Sequence, residues 1–299
     1  MDANDFLASQ FEEHRTHLKA VAYRMLGSLA EAEDAVQEAW LKLSRTDSGQ
    51  IDNLPGWLTT VVGRVCLDML RARTARRETP LEQRLPDPVV SPEHGGDPEQ
   101  QALIADAVGL ALLVVLESLN PAERLAFVLH DMFAVPFEQI AMILDRTPGA
   151  AKKLASRARQ RVRGTVPPSD PDLSRQRRVV DAFLTAARGG DFQALLEILD
   201  PDVVMRVDAG AVAEGGMWTI TGAAAVAGNA ANFHRYATTR RVEPVLVNGG
   251  VGLISRESGR PVAVLSFTVS DGKIVAFDIL SDPDRVARLR LSAPGAEEA

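Results

Sequence analysis

Along the N-terminal half of the chain apolar residues recur every three or four positions, the rhythm of helices with one buried face. Phe11, Leu18, Val21, Ala22 and Met25 predict a helix over 5–25 that stops at Gly27. Ser28, followed three residues later by Glu31, forms a capping box for a second helix whose inward stripe is Ala32, Val36, Ala39, Trp40 and Leu43. A third helix starts near Pro55 and carries Leu58, Val61, Val62, Val65 and Met69 inward. Five prolines (Pro80, Pro86, Pro88, Pro92 and Pro98) and Gly95-Gly96 then break the pattern. Such a stretch sustains neither a helix nor a central strand, so 79–98 reads as an interdomain linker. Helical spacing resumes over 99–119, and Asn120-Pro121-Ala122-Glu123 starts the next helix with a cap, a first-turn proline and a capping acid. Punctuation repeats at Val135-Pro136 and Thr147-Pro148. Over 138–163 the pattern is that of a helix-turn-helix: Ile140, Ala141 and Leu144 face inward, Asp145-Arg146-Thr147 turns, and Ala151, Leu154, Ala155, Ala158 and Val162 line the second helix.

After Pro167-Pro168-Ser169-Asp170-Pro171 the rhythm changes. Two helices, 172–188 and 191–199, flank Gly189-Gly190, and β-rich stretches follow at 203–208, 217–221, 241–249, 261–270 and 273–280, with Asp271-Gly272 as a hairpin turn. The expected fold class is multidomain: two all-α domains followed by an α+β domain.

Composition narrows the setting. With 299 residues, 46% apolar and 24% charged, the chain is that of a globular protein with room for two or three cores. The single cysteine, Cys66, excludes an intrachain disulfide and a multi-thiolate metal site, which points to a reducing compartment. His14, His17, His94 and His130 are too scattered for a metal site, and no metal, cofactor or catalytic residue is expected. The acidic, amphipathic start is not a secretory signal, and the longest apolar run, 107–116, contains Gly109 and is too short for a bilayer. A cytoplasmic protein without a membrane role is expected.

The net charge of −7 argues mildly against a nucleic-acid partner, but its distribution argues for one. Arg146, Lys152, Lys153, Arg157, Arg159, Arg161 and Arg163 fall within 18 residues that contain no acid. A second basic group, Arg64, Arg71, Arg73, Arg76 and Arg77 against Asp68, closes the third helix. Between them, 79–120 holds one basic residue and seven acids. Arg146, Lys153, Arg157 and Gln160 share the face opposite the buried stripe, where such side chains neutralise phosphates and reach base edges in a major groove. On the second helix Asp34, Glu38, Leu41 and Arg45, with Gln37 beside them, face away from the core. A leucine among acids suggests a protein contact there; a singly exposed leucine with no partner is the alternative.

The stretches AYRMLGSLAEAEDAVQEAWLKL and LPGWLTTVVGRVCLDMLRARTARRE, followed by the linker and the helix-turn-helix, resemble an extracytoplasmic-function (ECF) sigma factor of the sigma-70 class, from Asp5 to about Val166. The resemblance implies sigma region 2 at 5–78, the acidic linker at 79–98 and region 4 at 99–166. It places Asp34, Gln37, Glu38 and Leu41 on the β′ clamp helices of RNA polymerase core, with region 4 reaching the β flap. It gives the third helix and the loop 46–53 to the minus-ten promoter element, with Arg64, Arg71, Arg73, Arg76 and Arg77 along the strands. Arg146, Lys152, Lys153, Ser156, Arg157 and Gln160 go to the minus-thirty-five element. The linker would run toward the RNA exit path. Many members carry an Arg-Asn pair where this chain has Gly63-Arg64.

Ordinary members end soon after region 4, whereas this chain continues with a segment, 172–290, that resembles the SnoaL-like, nuclear-transport-factor-2-like cone, and a tail at 291–299. A sigma subgroup has this extension. Its WLPEP-like linker motif is matched by Arg84-Leu85-Pro86-Asp87-Pro88, its DGGGR-like motif by Asp208-Ala209-Gly210-Ala211 and its NPDKL-like end by Asp282-Pro283-Asp284-Arg285-Val286. The resemblance makes Leu85, Pro86, Asp87, Pro88, Asp208, Asp282, Pro283 and Asp284 regulatory contacts and the extension a built-in modulator touching the sigma domains, with a small-molecule ligand as a further option. Relatives of the cone include enzymes, which makes Asp208, Glu214, His234 and Asp278 acid–base candidates around Met217, Trp218, Phe233, Tyr236 and Phe267. Three readings stand at this point: a sigma factor, a stand-alone helix-turn-helix regulator with a ligand domain, and a cone enzyme with a helical appendage.

Overall fold

The computed structural model describes residues 3–46, 51–75, 84–92, 109–165, 169–210, 216–229 and 239–289. They pack as two bodies: 1–78 with 113–166, and 79–112 with 167–299.

The first body is helical. Helix α1 (Ala3–Leu26) ends at Gly27, whose φ of 70° lets the chain turn out of the helix. The Ser28 side chain accepts from the Glu31 N–H and starts α2 (Leu29–Leu43); Asn53 accepts from the Gly56 N–H and starts α3 (Leu54–Ala75). Leu18, Val21, Met25, Leu43, Leu58, Val62 and Leu67 are all fully buried between these three helices. Arg73 fastens the end of α3 by donating to the Leu26 carbonyl and pairing with Glu31. Helix α4 (Leu110–Glu117) leads to α5 (Pro121–Phe127), capped by Asn120, which runs into a π-helical turn (Val128–Met132). Helices α6 (Phe137–Leu144) and α7 (Pro148–Thr165) form the helix-turn-helix, and Asp145 at the turn takes the left-handed conformation at φ 53°. Of the expected helix 99–119, only its C-terminal part falls among the described residues.

The second body is a seven-stranded mixed sheet with helices against one face. Helices α8 (Leu173–Gly189) and α9 (Phe192–Ile198) are started by Asp172 and Asp191 caps. The strands are β1 (Val90–Ser91), β2 (Leu199–Asp208), β3 (Met217–Thr221), β4 (Arg241–Val247), β5 (Gly250–Glu257), β6 (Arg260–Ser270) and β7 (Lys273–Leu280), in the order β1-β4-β5-β6-β7-β2-β3. β2 and β7 pair parallel, and every other neighbour pairs antiparallel. Short α10 (Ala223–Ala227) and α11 (Pro283–Arg288) complete the body. Phe183, Phe267 and Phe277 pack at centroid distances of 5.7–5.9 Å in the core between α8 and the sheet.

Two strands were not anticipated: β5, and β1, which 79–98, read as a linker without a helix or central strand, contributes to the sheet edge. An edge is where the neighbouring prolines are tolerated, because one side of the strand needs no ladder bonds.

Candidate nucleic-acid interface and connector clasp

On α2, burial of Ala32, Ala35, Val36, Ala39 and Leu43 turns Asp34, Gln37, Glu38 and Leu41 outward together, and Leu41 is 44% exposed. An apolar side chain flanked by carboxylates is thus presented on a rigid helix. Lys42 lies 3.8 Å from Glu38, one turn on.

The cations of α7 and of the turn before it divide into two sets. Arg159 pairs with Asp131 at 2.6 Å and Arg161 with Glu123 at 2.7 Å, which pins α7 to α5 and the π turn. Arg146, Lys152, Lys153, Arg157 and Arg163 are exposed and have no carboxylate partner among the described residues, and Ser156 and Gln160 are exposed beside them. Ala151, Ala155 and Ala158 hold the opposite face against the rest of the body. The second helix of the helix-turn-helix therefore presents an open cationic face.

The α3 group is less uniform. Arg71 is exposed, 3.6 Å from Asp68. Arg64 is exposed but donates to the Met142 carbonyl at 3.1 Å, and Arg73 is spent on Leu26 and Glu31. Arg76, Arg77 and loop residues 47–50 lie outside the described residues.

In the second body the connector is clasped by the sheet. Arg285, 12% exposed, donates from Nη1 to Asp208 at 2.6 Å, from Nε to Asp87 at 3.0 Å and from Nη2 to the Leu85 carbonyl at 2.5 Å. The same Asp208 oxygen accepts from the Leu85 N–H at 2.9 Å, and Leu85 itself is 1% exposed. Asp282 positions this arginine by accepting from the Asp284 and Arg285 N–H groups at the start of α11. Gly210 is required beside it: at φ +72° a side chain is disfavoured, and a Cβ would stand 2.3 Å from the Asp282 carboxylate. Farther along, Val89 and Asn248 exchange two hydrogen bonds, at 2.8 and 3.1 Å, where β1 begins. Leu85, Asp87, Asp208 and Asp282 are thus brought together around Arg285. Arg285 and Asn248, absent from the expected contacts, are the groups that close the clasp. Arg285 was legible as the one cation in the 282–286 motif; Asn248 carried no signal beyond its Asn-Gly turn.

Of the acid–base candidates, Asp208 and Asp278 fall among the described residues. Asp278 and Asp208 lie on the sheet face opposite Phe277 and Phe267, as strand alternation requires. Burial holds the Asp278 carboxyl above the usual carboxylate range, opposed by Arg206 at 2.8 Å. Glu214, Phe233, His234 and Tyr236 lie outside the described residues. Among the described residues no cluster of metal-ligating side chains occurs, and no helix is long and apolar enough to cross a membrane.

A helical module with a mixed acidic and apolar face, joined to a helix-turn-helix with a free cationic face, defines a transcription initiation factor. Residues 10–76 match sigma-70 region 2 and residues 109–162 match sigma-70 region 4. The chain belongs to the ECF RNA polymerase sigma factors. It is 38% identical to the ECF sigma factor SigJ of Mycobacterium tuberculosis over 93% of this chain and 92% of that one. It is 33% identical to the probable ECF sigma factor SigI of the same species over 99% of this chain and 100% of that one. The crystal structure of M. tuberculosis SigJ matches at a TM-score of 0.74 and 36% identity, covering 95% of this chain and 100% of that chain. That full-length match extends through the C-terminal body, which is of the SnoaL-like α+β type. CarQ of Myxococcus xanthus, 26% identical, covers 89% of its own length but 54% of this chain, which marks the remainder as an addition to the sigma core. The protein is a non-enzymatic initiation factor with a fused C-terminal domain.

Proposed function

We propose that the α2 face (Asp34, Gln37, Glu38, Leu41) docks on the β′ clamp helices of the core polymerase, that region 4 meets the β flap, and that α3 and α7 read the minus-ten and minus-thirty-five elements. The fused domain, 172–290, modulates initiation by holding the connector. The observation that carries this last step is the Arg285 clasp: one guanidinium ties Leu85 and Asp87 of the connector to Asp208 of the sheet. A connector so held is not free to follow the path that a sigma linker takes through the polymerase. Because clasp and connector share one chain, a weak interface is sufficient. A small ligand bound to this domain would act by loosening or tightening the clasp.

Run-off transcription with core polymerase on the gene's own upstream region tests the proposal. Arg285→Ala and a truncation at Val166 should both initiate more strongly than the full chain. Equal output from all three would overturn the regulatory role. Specific footprinting without polymerase would overturn the sigma assignment in favour of a stand-alone regulator.

A further inference from the structure

The two edges of the C-terminal sheet are finished in opposite ways. At one end β4 is guarded: β1 pairs with its Leu246 and Val247, and the remainder of the strand carries Arg241, Glu243 and Pro244. Charges and a proline are the usual means of turning a further strand away. At the other end β3 has neither. Met217-Trp218-Thr219-Ile220-Thr221 is uncharged and rich in residues that favour strands. Trp218 is 41% exposed, Thr219 and Thr221 are exposed beside it, and among the described residues no strand lies beyond. A neutral, unguarded edge of this composition is a template for another strand.

The ladder to β2 fixes which backbone groups are on offer. Ala209 donates to the Gly216 carbonyl at 3.0 Å and Gly222 to the Val203 carbonyl at 2.8 Å. Bonded pairs alternate along an antiparallel ladder, so Trp218 and Ile220 turn their N–H and C=O toward β2, while Met217, Thr219 and Thr221 turn theirs outward. A two-fold axis through Thr219 matches this set to itself. Thr219 then faces its own copy, Met217 faces Thr221, and all six outward groups of each strand are bonded. An axis one residue to either side leaves Thr221 or Met217 without an opposite residue in the strand. The same axis sets Trp218 of each copy against Ile220 of the other at the non-bonded positions, where side chains approach most closely. Arg206, opposite Thr219 on β2, is met by Asp278 at 2.8 Å, so two copies bring no uncompensated like charge to the axis.

We infer that β3 is a self-association edge, through which two copies of this chain pair antiparallel about Thr219 and continue one sheet into the other. Five residues a side cover less than about 1,000 Å², the range of transient complexes, so the dissociation constant is on the order of tens of micromolar. The pairing stands on the C-terminal sheet alone and is independent of the promoter and polymerase assignments.

Sedimentation velocity of the full chain over about 5–300 μM should show monomer passing into dimer. Thr219→Lys and Thr219→Glu each set like charges opposite one another at the axis and should weaken association at least about fivefold. An equimolar mixture of the two should recover it as a heterodimer, because opposite charges then meet. Position 219 is exposed, so both variants should keep the circular-dichroism spectrum of the parent. Disulfides read the register. Thr219→Cys should cross-link to its own copy under mild oxidation, since bonded antiparallel pairs stand about 5.5 Å apart at Cα, within disulfide reach. Thr221→Cys, opposite Met217, stands about 14 Å from its twin and should not. Cys66 is buried and serves as the internal control. A full chain that stays monomeric to the top of the concentration range overturns the inference. So does association that survives both charge substitutions, or cross-linking through Thr221→Cys as readily as through Thr219→Cys.

Discussion

Cys66 shows how position sets the chemistry of one side chain. It is fully buried on α3, and burial pushes its thiol up to about 12. At pH 8 only about one thiol in ten thousand is then ionised, and the thiolate is the reactive form. Native protein should therefore show no alkylation by iodoacetamide over hours, with one cysteine modified after unfolding in urea; rapid native labelling counted by mass spectrometry would show that α3 opens. Gly210 makes the complementary case, of a residue whose lack of a side chain is the functional feature. Gly210→Ala must bear a left-handed backbone and a contact 2.3 Å from the Asp282 carboxylate. A loss of about 2–3 kcal/mol in the C-terminal body is expected from urea midpoints, together with release of the connector. An unchanged midpoint would mean that the Asp282 turn moves aside freely.

At the scale of elements, the helices were legible because each carries its own period and its own caps. Ser28, Asn120, Asp172 and Asp191 each bond the N–H groups that their helix leaves open. The sheet was legible only in part. β5 alternates nothing, since Val251 through Arg256 are all buried, and it contains Gly250 and Gly252, which read as turn residues. Gly252 is there because a Cβ would meet the Val247 side chain at 2.4 Å and the Leu265 carbonyl at 2.6 Å. β1 is two residues long, and its partner is more than 150 positions away in sequence, so nothing local announces it. The division of labour on α7 was hidden for the same reason. Six cations on one helix look alike until Asp131 and Glu123 are placed beside two of them. The split predicts opposite behaviour. Arg161→Ala strands Glu123, 3% exposed, and should cost about 1 kcal/mol of stability, a modest figure because the arginine itself is mostly in water. Lys153→Ala should leave stability unchanged while lowering the slope of log K against log salt for minus-thirty-five duplex by about 0.9, one phosphate contact's share. Circular-dichroism melts and a salt titration of duplex binding separate the two, and a reversed pattern would misassign the face.

For the whole molecule, the proposed docking depends on a surface that is already displayed. The α2 face stands open on a helix whose opposite side is buried in the first body, so docking as proposed needs no prior rearrangement of that body. Reversing the charges at Asp34→Arg and Glu38→Arg should then remove it. Both side chains are exposed, so stability should fall by no more than about 0.5 kcal/mol, part of it from the repulsion created between position 38 and Lys42. Affinity for core polymerase should drop at least about tenfold, roughly 1.4 kcal/mol, and duplex binding by α7 should be untouched because none of its cations has moved. Pull-down and fluorescence titration with core polymerase check the affinity, and a reversed variant that binds as tightly as the parent would mean that another surface docks.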